Sequence, residues 1–242
     1  MESSLIPDSY KKLSGSALKV IAVITMFIDH IGAYFPRQMS RILFPVGGGS
    51  LRLYTVLRFI GRLSFPLFCF LLVEGFLHTH DRQKYGIRLL LFALVTEPFW
   101  NLVHSGTWRY ESQNALFTLL FGFLALCLAE RLEQGRGNRL QNAVLLISLL
   151  ILAVVFKADY GCAGFGFVLM LYLLRKQPLF RAVTGSCILS SRWQAGLAFI
   201  PIAFYNGKRG FLHGRAASLC FYAIYPIQMI LFYIIKKNTI GF

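Results

Sequence analysis

Acidic residues are scarce in this sequence: Asp and Glu together number 10 of 242, against 25 Lys and Arg. Charge of either sign is thin, 14% of the chain, where a soluble domain carries about a quarter. That composition excludes an ordinary water-soluble globule. Also missing are a C-x-x-C pair, a linker or low-complexity stretch, and a repeat relating two halves. Cys69, Cys127, Cys162, Cys187 and Cys220 are odd in number and dispersed in or beside apolar runs. Neither a metal site nor a disulfide framework is signalled, and small packing residues are the simpler reading. No basic helix or aromatic RNA-binding strand is present, which argues against nucleic acid as a partner despite a formal charge of +15.

What is present is apolar. Hydrophobic residues make up 56% of the chain and gather in runs separated by short basic loops, the pattern by which helical membrane proteins hold their orientation. The expected fold is all-α, a polytopic bundle of about eight transmembrane helices with the lipid bilayer as its partner. Its expected organisation is a cytoplasmic tail over 1–16, one transmembrane domain over 17–237 and a short tail over 238–242. The first run, 17–35, is interrupted by Asp29 and His30 and no small-residue cleavage pattern follows, so it reads as a retained helix. The others fall near 56–77, 85–103, 113–132, 140–156, 161–174, 193–205 and 219–235. The run at 161–174 is short for a full span of ~20 residues, and seven crossings stand beside eight. Pro66 is expected to kink or open the second helix. Residues 36–50, with Gly47, Gly48 and Gly49, read as a flexible loop.

With eight spans and the amino end inside, fourteen Lys and Arg fall on the cytoplasmic side and eleven on the other. That majority favours both termini inside a bacterial cytoplasmic membrane. The minority set concentrates in the first and seventh loops, at Arg37, Arg41, Lys208, Arg209 and Arg215, which suggests a local use.

The stretch 57–80 breaks the apolar rule most clearly. Arg58 and Arg62 precede its core, and Glu74 and His78 lie just past it, each pair four apart and so on one helical face. A charge at membrane depth costs at least ~2.5 kcal/mol, which points to function with a nearby partner. The plainer alternative is that the arginines snorkel to headgroups. Alternating the eight helices brings further polar residues to the membrane end that holds Asp29, His30, Arg58 and Arg62. They are Glu97, Gln113, Asn114, Lys157, Asp159, Lys208, Arg209, Tyr222 and Tyr225. Such a cluster either lines a wet cavity or holds helices together. Within it, His30 reads as a general base oriented by an acid from another helix, Glu97 being the candidate, or else as a satisfied structural histidine. Asp29 can pair with Arg58 or Arg62 or help select an amine. The arginines, with Lys157 or Lys208, can hold phosphate or an oxyanion. Tyr222 and Tyr225 are site residues or interfacial aromatics.

Several segments resemble the TraX family: DHIG at 29–32, GRLSFPLFCFLLVEGFLHT at 61–79, QNALFTLLFG at 113–122, DYG at 159–161 and FYAIYP at 221–226. The likeness runs from about residue 18 to the end in similar order and spacing. Members are bacterial inner-membrane proteins, named for one that acetylates the amino terminus of conjugative pilin, and they look distantly like membrane acyltransferases that use acyl-CoA. The resemblance therefore implies acetyl transfer from acetyl-CoA to an amine or hydroxyl on a protein amino terminus, a glycan or a lipid. It carries over Asp29, His30, Gly61, Arg62, Phe65, Pro66, Glu74, Gln113, Asn114 and Asp159. One departure is Gln228, where relatives often have a histidine two residues after the tyrosine-proline pair. Two other functions are weighed beside this one: a transporter with proline-broken helices around buried charge, and a non-catalytic partner in a conjugation or envelope complex.

Overall fold

In the computed structural model, which describes residues 6–46 and 49–239, four of the longer helices start at a side-chain cap. Ser14, Asp81, Asn114 and Asn138 each accept a first-turn backbone N–H, opening α1 (Gly15–Tyr34), α4 (Arg82–Ser105), α5 (Ala115–Glu133) and α6 (Arg139–Val155). Between α1 and α4 lie α2 (Leu53–Gly61) and α3 (Ser64–His78); α7 (Gly161–Leu173), α8 (Pro178–Ile188), α9 (Phe199–Ala203) and α10 (Arg215–Thr239) follow. Of the expected tails, residues 1–5 and 240–242 lie outside the described residues, while Asn238 and Thr239 continue α10.

Pro66 does not kink a continuous helix. Its missing N–H would have bonded the Arg62 carbonyl, and the chain breaks at that point instead. α2 ends at Gly61, and Pro66 sits in the first turn of α3, where no N–H is needed. Residues 36–50 are not simply a loop either. Ile42–Val46 (β1) pairs antiparallel with Gly49–Arg52 (β2), Ile42 opposite Arg52, and Ile42 and Phe44 are strand-forming residues. Gly47 and Gly48 lie outside the described residues.

The end of the bundle where α1 begins is its proximal end, and the other is distal. Helices α1, α2–α3, α4, α5, α6 and α7 alternate between the two. The turn from α6 to α7 returns beside the start of α5, where Gln113 N–H donates to the Lys157 carbonyl. The run 193–205, expected as the seventh span, does not stand as one helix: residues 178–203 fold back on themselves. The α8 leg and the 3₁₀ stretch Ser190–Ala198 fold against each other, Gly185 facing the Phe199 ring and Gly196 facing Ser186, so closely that a Cβ at either glycine would collide. The hairpin reaches in as far as Phe59, whose ring meets Trp193 at 5.6 Å. It then returns to the proximal end, where Leu13 N–H donates to Phe204 and Gly15 N–H to Lys208. At 11 residues α8 spans only ~16 Å, too short for the hydrocarbon layer.

α10 therefore starts proximal and finishes distal, where Lys236 Nζ donates to the Val103 carbonyl at 2.6 Å. Among the described residues α1 begins at one end of the bundle and α10 finishes at the other, with α6 and α7 as shorter apolar helices between the longer ones. Five segments are long and apolar enough to cross a membrane: α1, α2–α3, α4, α5 and α10. α3 is central, with nine of its fifteen residues buried; α6 buries only Asn142 and Ala153 and turns its apolar side chains outward, as a lipid-facing helix does.

At the proximal end Arg82 forks onto Glu130, one arm at 2.7 Å, and its guanidinium lies 4.1 Å over the Phe76 ring. Beside it Glu133 accepts from Tyr172 Oη (2.7 Å) and Arg175 Nη2 (2.5 Å), tying α5 to α7. Arg82→Ala should remove a bidentate pair and a cation–π contact, lowering stability by roughly 1–2 kcal/mol after allowance for partial exposure. Reversible unfolding in mixed detergent micelles measures this, and an unchanged midpoint would mean that the fork contributes nothing.

Candidate functional site

A cavity of about 640 Å³ extends along the bundle between α1, α3, α4, α5 and α10. Its distal walls carry Asp29, His30, Arg58, Arg62, His104, Tyr110 and Asp159, and its proximal walls Lys19, Glu74, His78, Arg88 and Arg209. Phe68, Leu72, Leu116 and Leu119 line the length between.

At the distal end α1 and α2 touch at Gly61, where a Cβ would fall on the Asp29 side chain. That approach lets Arg58, one turn before Gly61, reach Asp29: Nη1 donates to Oδ2 at 2.5 Å, with the two side chains 30% and 15% exposed. Asp29 thus holds the guanidinium at the end of the cavity that His30 and His104 also line. The His30 ring lies 5.3 Å from that of Tyr34, 6.0 Å from Tyr225 and 6.1 Å edge-on from Phe232. Gln228, fully buried on α10, faces His30, but neither of its amide atoms meets hydrogen-bond geometry with a described group. His104 Nδ1 lies 2.8 Å from the Trp100 carbonyl, and Trp100 Nε1 donates to the Ser112 carbonyl at 3.0 Å. The Phe65 and Tyr160 rings stack at 3.4 Å, seating the α6–α7 turn and Asp159 against α3.

The proximal mouth differs in charge. Four cations at this end are paired: Lys11 with Asp8, Lys84 with Asp81, Arg82 with Glu130 and Arg175 with Glu133. Lys19, Arg88 and Arg209, which face the cavity, have no carboxylate within ion-pair distance among the described residues. Lys19 Nζ lies 5.1 Å over Phe221, and the Arg88 guanidinium 6.0 Å from both Tyr85 and Tyr222. Glu74 turns to His78, 3.8 Å away, and to Tyr205, whose phenol is pushed up by burial first and the Glu74 carboxylate second. No group of His, Cys, Asp and Glu that could hold a metal ion occurs among the described residues.

Asp29, His30, Arg58, Arg62 and Asp159 meet at one end, as the alternation of helices predicts, with Tyr225 beside them. Other expected members do not. Glu97 is not the partner of His30: its Oε2 accepts from Asn114 N–H (3.1 Å) and Nδ2 (2.6 Å), and it lies off the cavity. Asn114 is fully buried and occupied as the α5 cap and as donor to Ala93, while Gln113 pairs by backbone with the 157–159 turn. Lys157 is exposed at a φ of 51° in that turn, and neither it nor Lys208 lines the cavity. Arg209, Lys208 and Tyr222 lie proximally because 178–203 turns back. Glu74 and His78, expected apart from the rest, line the same cavity as His30. Lys19, Arg88 and His104 escaped the sequence reading. The available signal for His104 was its spacing from Trp100, four residues along one helical face.

These features define a polytopic helical membrane protein whose polar cavity links an uncompensated cationic mouth to a cluster of histidine, carboxylate and arginine. The chain belongs to the TraX family: residues 14–236 match the family described as TraX protein. It is 35% identical over 250 residues, 90% of this chain and 93% of the relative, to a protein of Dichelobacter nodosus named "Probable fimbrial assembly protein FimC, serogroup H1". It is 29% identical over 105 residues, 43% of this chain and 33% of the relative, to "Uncharacterized protein RP591" of Rickettsia prowazekii (strain Madrid E). No solved structure matches the chain significantly.

Proposed function

We propose that this protein is an acetyltransferase of the bacterial cytoplasmic membrane, acting across the bilayer in fimbrial or pilus assembly. The observation that carries the reading is the continuity of the cavity between the cationic mouth and the Asp29–His30–Arg58 end. The alternation of the helices supports an orientation. Leaving aside Arg192 in the folded-back segment, it puts Lys11, Lys12, Lys19, Arg82, Lys84, Arg88, Arg131, Arg136, Arg139, Arg175, Lys176, Arg181, Lys208, Arg209 and Arg215 at the proximal end. Arg37, Arg41, Arg52, Arg58, Arg62, Arg109, Lys157, Lys236 and Lys237 fall at the distal end. Fifteen against nine supports a cytoplasmic proximal end, which is the orientation proposed here. The cationic mouth then opens where acetyl-CoA is found, which removes the difficulty of a cytosolic donor and a distal polar cluster.

Acetyl-CoA supplies the acetyl group as a thioester. Lys19, Arg88 and Arg209 fit its phosphates, because exchanging water for an anion there displaces no existing carboxylate. Along α1 the rise from Lys19 to His30 is ~16 Å, which sets how far the acyl arm must extend. At the distal end the Arg58 guanidinium stabilises oxyanion charge, held in place by Asp29, and a histidine takes the proton of an amine or hydroxyl acceptor. Fimbrial assembly enters from the Dichelobacter nodosus relative, whose printed name assigns that process to it.

The test is binding and turnover of labelled acetyl-CoA by the purified full chain in nanodiscs. Neutralising Lys19, Arg88 and Arg209 to Gln should weaken binding about tenfold per lost phosphate contact and flatten its salt dependence. Equal affinity in the triple variant would overturn the assignment of the mouth. The same cavity suits a carrier, so uptake of a solute by proteoliposomes without any acetyl donor would replace this reading with that one.

A further inference from the structure

From the geometry of the two cavity histidines we infer that His104, through Nε2, is the catalytic proton acceptor, and that His30 positions. This rests on the acetyltransferase reading and assigns a role within it. A general base needs its lone pair fixed on one nitrogen and aimed at the reacting group. His104 meets that requirement. Its Nδ1 lies 2.8 Å from a carbonyl oxygen, which can only accept, so Nδ1 carries the hydrogen and the neutral ring keeps its lone pair on Nε2. The supporting carbonyl is itself held, since Trp100 is buried and its indole is bonded to Ser112. The ring is clamped by Trp100 at 3.9 Å, Tyr110 at 4.7 Å and Tyr34 edge-on at 5.1 Å, and it lines the cavity.

His30 lacks this organisation. Its Nδ1 is buried without a hydrogen-bond partner among the described residues, and the Gln228 amide that it faces fixes neither tautomer. Tyr34 lies between the rings, 5.3 Å from His30 and 5.1 Å from His104, so His30 walls the same chamber without the directed lone pair. The charged groups facing His104 are Arg58 and Lys236, and the titratable ones His30, Tyr34 and Tyr110. Arg58 lines the same cavity as both histidines, and in this assignment its guanidinium meets the charge that develops on a carbonyl oxygen.

The step balances as follows. An amine nitrogen bonds to the thioester carbonyl carbon, its proton passes to His104 Nε2, and the carbonyl oxygen takes negative charge opposite Arg58. As the carbon–oxygen double bond re-forms, the carbon–sulfur bond breaks and His104 returns the proton to sulfur, giving an amide and a free thiol.

The experiment compares wild type, His104→Asn and His30→Asn as full chains in nanodiscs, with labelled acetyl-CoA as donor and glycinamide as amine. Asn keeps a side-chain N–H near the Trp100 carbonyl, so the fold is preserved; thermal unfolding checks this. We expect kcat to fall about 10²–10⁴-fold in His104→Asn with KM for the donor little changed, and the acid limb of the pH–rate profile to disappear. His30→Asn should keep that limb and change mainly KM. A readout free of activity is the ¹⁵N spectrum of histidine-labelled protein without ligand, in which the resonances lost in His104→Asn should be those of an Nδ1–H tautomer. An Nε2–H tautomer, or a His104→Asn variant that retains the acid limb, overturns the assignment whether or not the variant is stable. Wild type that neither binds nor turns over the donor would instead remove the acetyltransferase reading itself, while the tautomer would still report on the geometry.

Discussion

Asp29→Ala should destabilise the protein by about 3 kcal/mol, the largest effect expected of any single substitution of a charged residue here. The change leaves the Arg58 guanidinium at membrane depth without the carboxylate that now lies 2.5 Å from it. The pair is only partly enclosed, so its net worth is modest, but the cost of stranding one member is set by desolvation of the survivor. Arg58→Ala removes the partner at 2.5 Å from Asp29 instead and should also destabilise. The double variant Asp29→Ala/Arg58→Ala removes both members of the pair and should be less destabilised than the sum of the single changes, with a coupling energy of roughly 1.5–3 kcal/mol. A double-mutant cycle by reversible unfolding in mixed micelles measures it. Simple additivity would show that the two side chains do not depend on each other, and the view of Asp29 as the anchor of Arg58 would have to be dropped. Under the proposed acetyltransferase function, donor binding at the proximal mouth should survive in the double variant while transfer is lost, since the pair lies at the other end of the cavity.

Gly61→Ala should act on the same contact through sterics. An added Cβ meets Cα, Cβ and Oδ1 of Asp29, and backbone and β-carbon cannot swing aside as the tip of a flexible side chain does. α2 must then move away from α1, and with it Arg58 one turn earlier. Overpacking of this kind costs ~1–3 kcal/mol, and lengthening the Arg58–Asp29 pair adds to it. A fall in the unfolding midpoint together with loss of transfer is the expected result. A Gly61→Ala protein with wild-type stability would mean that the two helices can separate freely, contrary to the fit seen at this crossing. In the Asp29→Ala background the alanine should be little better tolerated, because the Cα and Cβ that it strikes remain.

The resemblance of five separated motifs and the match to the family agree because the motif residues do physical work in the folded chain. Asp29 and Gly61 form one crossing; Phe65 and Tyr160 stack, which seats the DYG turn against α3. Gln113 and Asn114 belong to the same framework. They join the start of α5 to that turn and to Glu97, which explains their place in a motif without a role at the cavity.

By itself the sequence determined that this is an all-helical membrane bundle, where most helices begin and end, and that Asp29, His30, Arg58 and Arg62 meet at one level. Those properties follow from local quantities: apolar run length, N-capping side chains and the 1.5 Å rise that fixes depth along a helix. Only the tertiary structure decided whether residues 178–203 cross. Their composition is apolar enough for a span, and the turn back depends on Gly185 and Gly196 admitting Phe199 and Ser186, contacts between positions that hydropathy does not relate. That one reversal moved Arg209 and Tyr222 to the proximal end. It also took partner choice out of reach of the sequence: which carboxylate meets which cation, and which histidine finds a carbonyl, depend on helix rotation and neighbours, and these are set by packing across the whole bundle.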